Sequence, residues 1–160
     1  MNKIAILFIF IFSININSQE KFILDAGTGI LSVQRNSAAL FNVGMHYDVS
    51  QKISISGNTG YSHFNLNNND ETDISKYDLG INYKILNSNT EIASIANFNY
   101  ITDKNAILFE RKNNFGMDLG ILIMFNQENR FQYGIKWYNT FSTTARGSIM
   151  YSGAQFSYRL

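Results

Sequence analysis

Apolar and polar side chains alternate along eight stretches of the chain, each about ten residues long. In the fourth stretch, residues 76–85, every second residue is apolar without a fault. Successive side chains of a β-strand point to opposite faces, so a period of two predicts strands rather than helices. The predicted strands are 22–32, 40–49, 53–63, 76–85, 92–101, 115–125, 131–141 and 148–160.

The two faces of these strands differ in chemistry. One face is apolar and aromatic and carries no charge, whereas the other holds most of the glycines, amides and charged side chains. A soluble barrel with the apolar face inward would be overfilled by large side chains, and its exterior should be more charged. An open sandwich could also hide an apolar face, but here that face recurs on all eight strands. The pattern therefore predicts an all-β protein, an eight-stranded antiparallel up-and-down transmembrane β-barrel with a closed polar interior.

The lengths of the links predict an orientation. Short polar links follow strands two, four and six (50–51, 87–90 and 126–130), and mostly longer ones follow strands one, three, five and seven (33–38, 65–73, 102–113 and 142–147). Outer-membrane barrels have short periplasmic turns and long external loops, so both termini should be periplasmic. Aromatic girdles are expected at both interfaces, the periplasmic one from Tyr47, Tyr83, Phe125, Phe131, Phe156 and Tyr158, and the external one from Tyr61, Tyr77, Tyr100, Phe115 and Phe141.

The first eighteen residues differ from the rest. Lys3 precedes a nine-residue apolar run over 4–12, and residues 13–18 are more polar and end in a small residue. The run is too short to span a bilayer, which takes about 20 residues, and the arrangement is typical of a secretory signal peptide. We expect residues 1–18 to be cleaved and residues 19–160 to form the barrel domain in a bacterial outer membrane.

Composition excludes other classes. The chain has 13 basic and 12 acidic residues, and Lys3 accounts for the difference, so the mature chain is neutral. Nucleic-acid binders carry clustered basic residues, and here these residues are spread out, so no nucleic-acid partner is expected. No cysteine is present, which excludes a disulfide scaffold, and the absence of proline suits a sheet with every amide in a ladder.

The eight alternating strands, the alternation of short and long links and the final strand together resemble the small outer-membrane β-barrels of the OmpX and OmpA type. In that family the last strand is the signal read by the barrel-assembly machinery. Phe156, Tyr158 and Leu160 match its alternating pattern, although Leu160 replaces the commoner terminal Phe. The resemblance implies this machinery and outer-membrane lipid as partners, and we expect a monomer.

Charged side chains on the predicted inner face should pair with one another, because burying them unpaired is costly. The predicted interior network comprises Asp25, His46, Lys76, Asp78, Lys84, Asp118, Lys136 and Arg159. We interpret it as a structural polar core. A proton or ion path is the alternative, although an eight-stranded lumen is filled by its own side chains.

An enzymatic role is the next alternative, since some barrels of this size are lipid A deacylases or palmitoyl transferases. Such a site needs a His, a Ser and an acidic group near the external rim. His63 is the rim histidine, with Ser62 beside it and Glu71 or Asp73 nearby, but neighbours in a strand face opposite ways. The spacing also departs from the His-x-Ser of the deacylases. We therefore predict no enzyme, no metal site and no cofactor.

Two predicted loops carry further hypotheses. Residues 65–73 are polar and acidic, as in a solvated or calcium-binding tip, but lack the pattern of an EF-hand. Residues 102–113 contain Ile107, Leu108 and Phe109, which predict either strands that continue beyond the membrane or an exposed contact for a partner, and we favour the strands. The predicted function is a structural or interaction role in the outer membrane; the alternative is a small transport, ion-conducting or lipid-handling barrel.

Overall fold

Eight β-strands make up the fold in a computed structural model, which describes residues 21–66, 70–142, 144 and 147–160. The predicted signal peptide lies outside these residues. The strands are β1 (Phe22–Val33), β2 (Asn36–Asp48), β3 (Ile53–Asn65), β4 (Glu71–Asn87), β5 (Thr90–Asp103), β6 (Asn113–Phe125), β7 (Phe131–Ser142) and β8 (Ile149–Arg159).

The sheet closes on itself. Each strand pairs antiparallel with its sequence neighbours, and β1 also pairs with β8, where Ala26 lies opposite Phe156. The prediction of an eight-stranded up-and-down barrel is therefore confirmed. The end that holds Lys21 and Leu160 is called the terminal end below, and the end where β5 joins β6 is called the loop end.

None of the described residues belongs to a helix that is long and apolar enough to span a membrane.

The apolar face of the strands points outward, as predicted. Phe98, Phe115 and Leu79 are 73%, 71% and 66% exposed on the outer wall. Aromatic rings contact one another near both ends of this wall. The ring centroids of Tyr100 and Phe115 are 5.2 Å apart at the loop end, and those of Phe22 and Tyr47 are 4.8 Å apart at the terminal end. Such rings match the aromatic girdles of membrane barrels.

The interior changes character along the barrel axis. Near the terminal end and in the middle it is largely polar, apart from a small buried apolar cluster of Ala93, Ile95, Leu122 and Met124. At the loop end it holds a larger buried apolar cluster, called the loop-end core. Its members are Leu31, Val33, Leu40, Phe64, Ile74, Ile101, Leu108, Phe109, Tyr138, Ile149 and Tyr151. The predicted polar interior thus holds for part of the barrel, and the loop-end part is packed like the core of a soluble protein.

Two tyrosines mark the boundary between the polar and apolar parts. Tyr138 and Tyr151 lie opposite each other on β7 and β8, with ring centroids 4.9 Å apart. A Cβ atom at Gly153 would lie 2.3 Å from the hydroxyl oxygen of Tyr151, and one at Gly120 would lie 2.5 Å from Cβ of Tyr138. The two glycines therefore leave the space that these rings occupy.

Several links are shorter than predicted. β1 and β2 are joined by Gln34 and Arg35 alone, with Gln34 in the left-handed region at φ 58°. The predicted loop 33–38 is therefore wrong. β3 and β4 likewise continue to Asn65 and from Glu71, so residues 65 and 71–73 of the predicted loop 65–73 are strand. The pattern missed these extensions because the apolar residues change from the outer to the inner face at the loop end.

Candidate functional site

Lys76 is the centre of the largest polar cluster inside the barrel. Its Nζ lies 2.5 Å from Oδ2 of Asp118 and also pairs with Asp78. Asp118 accepts two further hydrogen bonds, from Nδ2 of Asn99 at 2.7 Å and Oγ1 of Thr140 at 2.6 Å. Buried charges need such partners, and the three predicted residues of this cluster are brought together from β4 and β6.

A second cluster joins β1, β2 and β8 nearer the terminal end. Nδ1 of His46 lies 2.7 Å from Oδ2 of Asp25, and Oγ of Ser157 donates a hydrogen bond of 2.5 Å to the other carboxylate oxygen. Both members of the pair were predicted to face inward. The register of β1 against β2, which sets Ile23 opposite His46, decides that they meet.

The third cluster lies at the terminal end around Lys84. Its Nζ lies 2.9 Å from Asp48 and 3.0 Å from Glu91. Glu91 was missed, because it lies one residue before the predicted start of the fifth strand. A longer period-two pattern that included Glu91 and Ala93 could have found it.

The other two residues of the predicted network have different surroundings. Lys136 is buried, forms no ion pair among the described residues, and has its Nζ 5.7 Å from the centre of the Tyr138 ring. Arg159 likewise forms no ion pair in the part of the chain that the structure describes. The predicted network is therefore three separate clusters and two single cations.

The loop end is closed by the link between β5 and β6. Leu108 and Phe109 fold back into the loop-end core and are each 2% exposed, whereas Ile107 is 38% exposed. Neither predicted form of this segment is observed. Residues 104–112 do not extend the strands, and two of the three apolar side chains fill the mouth instead of facing a partner.

Asp103 holds this link in place. Its side chain is fully buried and accepts hydrogen bonds from the amides of Leu108 and Phe109, at 2.8 and 3.0 Å. Oγ1 of Thr72 donates a third hydrogen bond of 2.5 Å. A buried carboxylate that accepts three donors is well satisfied, and the sequence pattern did not single it out.

His63 belongs to an exposed cluster on the outer wall and lies two residues beyond the girdle residue Tyr61 along β3. Its Nδ1 lies 2.8 Å from Oδ1 of Asp73, and Asp73 also pairs with Lys104 at 3.1 Å and accepts a hydrogen bond from Tyr61. The carboxylate raises the pKa of His63, and its donors hold the pKa of Asp73 well below its usual range.

The other nitrogen of His63 does not meet a hydroxyl. Nε2 lies 3.0 Å from Oδ1 of Asn65, two residues along β3, while Ser62 faces inward and donates a hydrogen bond to the carbonyl of Ala39. An acyl-transfer triad places a Ser, Thr or Cys at this nitrogen. Among the described residues, the position that a nucleophile would occupy is therefore taken by an amide.

No protein-family model matches the chain, and no curated protein matches it either. Solved structures do. The outer membrane enzyme PagL is 11% identical, with a TM-score of 0.59, over 86% of this chain and 99% of its own. Neisserial surface protein A is 8% identical, with a TM-score of 0.59 over 87% and 96% of the two chains.

The outer membrane protein Ail of Yersinia pestis, in a phospholipid bilayer nanodisc, is 11% identical, with a TM-score of 0.55 over 86% and 99% of the two chains. The fold is that of the small outer-membrane β-barrels. At these identities the likeness concerns the fold alone, so the roles of the clusters described above are inferred from this chain and not from the compared structures.

Proposed function

We propose that the protein is an outer-membrane barrel with a structural or interaction role and no open pore. The observation that carries this proposal is the closed interior. Leu108 and Phe109 fill the loop end, and the charges below them are largely paired across strands. An ion would have to displace packed apolar side chains and break buried ion pairs to pass, and both are costly.

The proposed location is a bacterial outer membrane with both termini periplasmic. It is supported by the apolar outer wall, the ring contacts at its two ends and the fold shared with Ail and PagL. Removal of residues 1–18 and contact with outer-membrane lipid belong to the same proposal. Phe156 and Tyr158 lie on the lipid-facing side of β8 and Leu160 is exposed, an arrangement open to the assembly machinery.

The interaction part of the proposal concerns the outer side of the loop end. Here the side chains beyond the girdle are polar and charged, among them His63, Asp73 and Lys104. Ail has been solved in complex with the heparin analogue sucrose octasulfate, so a barrel of this fold can bind a soluble ligand. We propose that the external partner of this chain is met by these polar residues and by Ile107, and that the protein acts as a monomer.

Lipid A modification is the weaker candidate, despite the fold shared with the outer membrane enzyme PagL. The carboxylate and imidazole of an acyl-transfer site are present as Asp73 and His63, but Nε2 of His63 meets Asn65. An amide cannot take the role of the nucleophile. We therefore propose a protein that is not an enzyme.

The test is conductance of the purified, refolded protein in planar lipid bilayers. We expect no steady current above that of the bare bilayer, because the loop end is filled. The matched variant is Leu108→Ala with Phe109→Ala, which removes the two large side chains of the link. A steady current from the unaltered protein would contradict the proposal, and one from the variant alone would locate the barrier at the loop end.

A further inference from the structure

A polar pocket of about 470 Å³ opens at the terminal end of the barrel. It lies across the mouth, between the start of β1, the end of β8 and the links that follow β2, β4 and β6. Its charged lining consists of Lys21, Lys84, Arg159, Asp48 and Glu128, and amide and hydroxyl side chains from the links complete it. The loop end, by contrast, is filled by apolar side chains.

Lys84 forms part of the floor of this pocket. It is 4% exposed and is held between Asp48 and Glu91, at 2.9 and 3.0 Å. Its charge is therefore compensated inside the protein, and its position is fixed by two strands. The floor therefore carries a charged group that its partners hold in place, and such placed polar groups orient a ligand in a binding site.

Arg159 differs from Lys84, because its charge has no ion-pair partner among the described residues. The Nε atom is buried and forms no hydrogen bond among the described residues, and no carboxylate of those residues forms an ion pair with the guanidinium. The backbone amide of Arg159 bonds to the carbonyl of Arg130, which anchors the residue at the mouth. A guanidinium is always charged and presents a planar fork of donors that matches a carboxylate.

The acidic residues of the pocket narrow the chemistry of a ligand. Asp48 and Glu128 line the same space as Arg159 and Lys21. A ligand with a single negative charge would pair with the guanidinium but would be repelled by these two carboxylates. A molecule with a carboxylate at one end and an ammonium group at the other would complement both signs.

We propose that the pocket at the terminal end binds a small zwitterion, an amino acid or a short peptide. Its carboxylate lies on Arg159 and Lys21, and its ammonium group lies toward Asp48 and Glu128. With the orientation proposed above, this ligand comes from the periplasm. The binding itself depends neither on that orientation nor on the absence of a pore, so its failure and the failure of the proposed function are distinguishable.

The test is an NMR titration of the refolded full barrel domain in detergent micelles with dialanine, acetate, inorganic phosphate and ethylamine as separate probes. We expect saturable shifts of the amides around Arg159 and Lys84 with dialanine, at an apparent Kd of about 1 mM or tighter. Acetate and ethylamine, which each satisfy one sign of charge, should bind at least about tenfold more weakly. An absence of saturable shifts with dialanine would overturn the proposal, and phosphate binding as tight as that of dialanine would overturn the choice of a carboxylate.

Three variants test the residues. Arg159→Gln should weaken dialanine binding at least about tenfold, and Lys21→Gln, at an exposed position before β1, should weaken it without affecting the strands. Lys52→Gln removes the same charge from the link after β2, outside the pocket, and is the matched control. Equal affinities in all three variants would overturn the assignment. If Arg159→Gln fails to refold, Lys21→Gln and Arg159→Lys decide the same question.

Discussion

Lys76 illustrates what a buried charge requires in this barrel. Its ammonium group lies between Asp78 and Asp118 and 4.6 Å from the centre of the Tyr138 ring. The alternation of polar and apolar residues placed all three charged residues inside. It could not say that they share one cluster, because that depends on the register of β4, β5 and β6.

Replacing Lys76 by Met should strongly destabilise the barrel. The change leaves Asp78 and Asp118 close together without a cation, and breaking a buried pair in this way costs about 3–5 kcal/mol. The measurement is the free energy of unfolding in urea of the protein refolded into lipid vesicles. Lys104→Met is the control, because Lys104 is 69% exposed and should change stability by less than about 1 kcal/mol. Equal losses in the two variants would contradict the role of the cluster.

His63 should titrate above its ordinary pKa of 6.5, because its imidazolium donates a hydrogen bond to the carboxylate of Asp73. A raised folded pKa means that the pair stabilises the fold fully below pH 6.5, and that this contribution is lost as the pH rises through the folded pKa. An NMR titration of the ring protons measures the pKa. In Asp73→Asn it should fall toward 6.5, and an unchanged value would exclude the pair as its cause.

At the scale of the element, the link between β5 and β6 departs most from its prediction. Ile107, Leu108 and Phe109 are apolar in a segment that joins two strands, and the sequence left open whether they lie in a sheet or on a surface. In the structure, the carboxylate of Asp103 accepts hydrogen bonds from the amides of Leu108 and Phe109, and the chain therefore turns back over the barrel. These hydrogen bonds join residues that are five and six positions apart, so a pattern of period two gives no sign of them.

Asp103→Ala should release this link. The change leaves the amides of Leu108 and Phe109 without their acceptor, at a cost of about 1–3 kcal/mol. The readout is trypsin cleavage at Arg111 and Lys112 in the refolded barrel, which should become at least several times faster.

Asp70→Ala is the control for this change, since Asp70 is an exposed aspartate in the link between β3 and β4. Its cleavage rate should match that of the unaltered protein. If Asp103→Ala were cleaved no faster than the control, another contact would hold the link in place.

At the scale of the whole molecule, the barrel reverses its polarity along its axis. Between the girdles the outer wall is apolar and the interior is largely polar, apart from the small cluster around Ile95 and Leu122, as expected of a barrel in lipid. Beyond the girdle at the loop end the interior is apolar and the outer wall carries His63, Asp73 and Lys104, as in a soluble domain. The two faces of the same strands therefore exchange polarity along the axis, which supports the proposal that the loop end projects beyond the bilayer.

The single tryptophan offers a test of this arrangement. Trp137 lies on the outer wall, paired with Ile121 and Ser152, and is 41% exposed. Its fluorescence should be quenched strongly by lipids with brominated acyl chains and weakly by acrylamide in the aqueous phase. The opposite result would mean that this wall faces water, as in a soluble barrel.

A matched control places the fluorophore in the loop-end core. Phe109→Trp in a Trp137→Phe background sets the indole among the buried side chains of the loop-end core, which we propose lies outside the bilayer. Quenching by brominated lipid and by acrylamide should then both be weak. Strong quenching by brominated lipid at this position would contradict the proposed position of the loop end above the bilayer.

The sequence by itself determined the number of strands, their order and the face that each turns outward. Those properties follow from an alternation that is local and keeps one phase through the central part of each strand, as residues 76–85 illustrate. The tertiary structure alone decided which charges meet, that Leu108 and Phe109 close one end, and that Arg159 at the other end has no ion-pair partner in the described part of the chain. These depend on strand register and barrel closure, which join residues far apart in the chain.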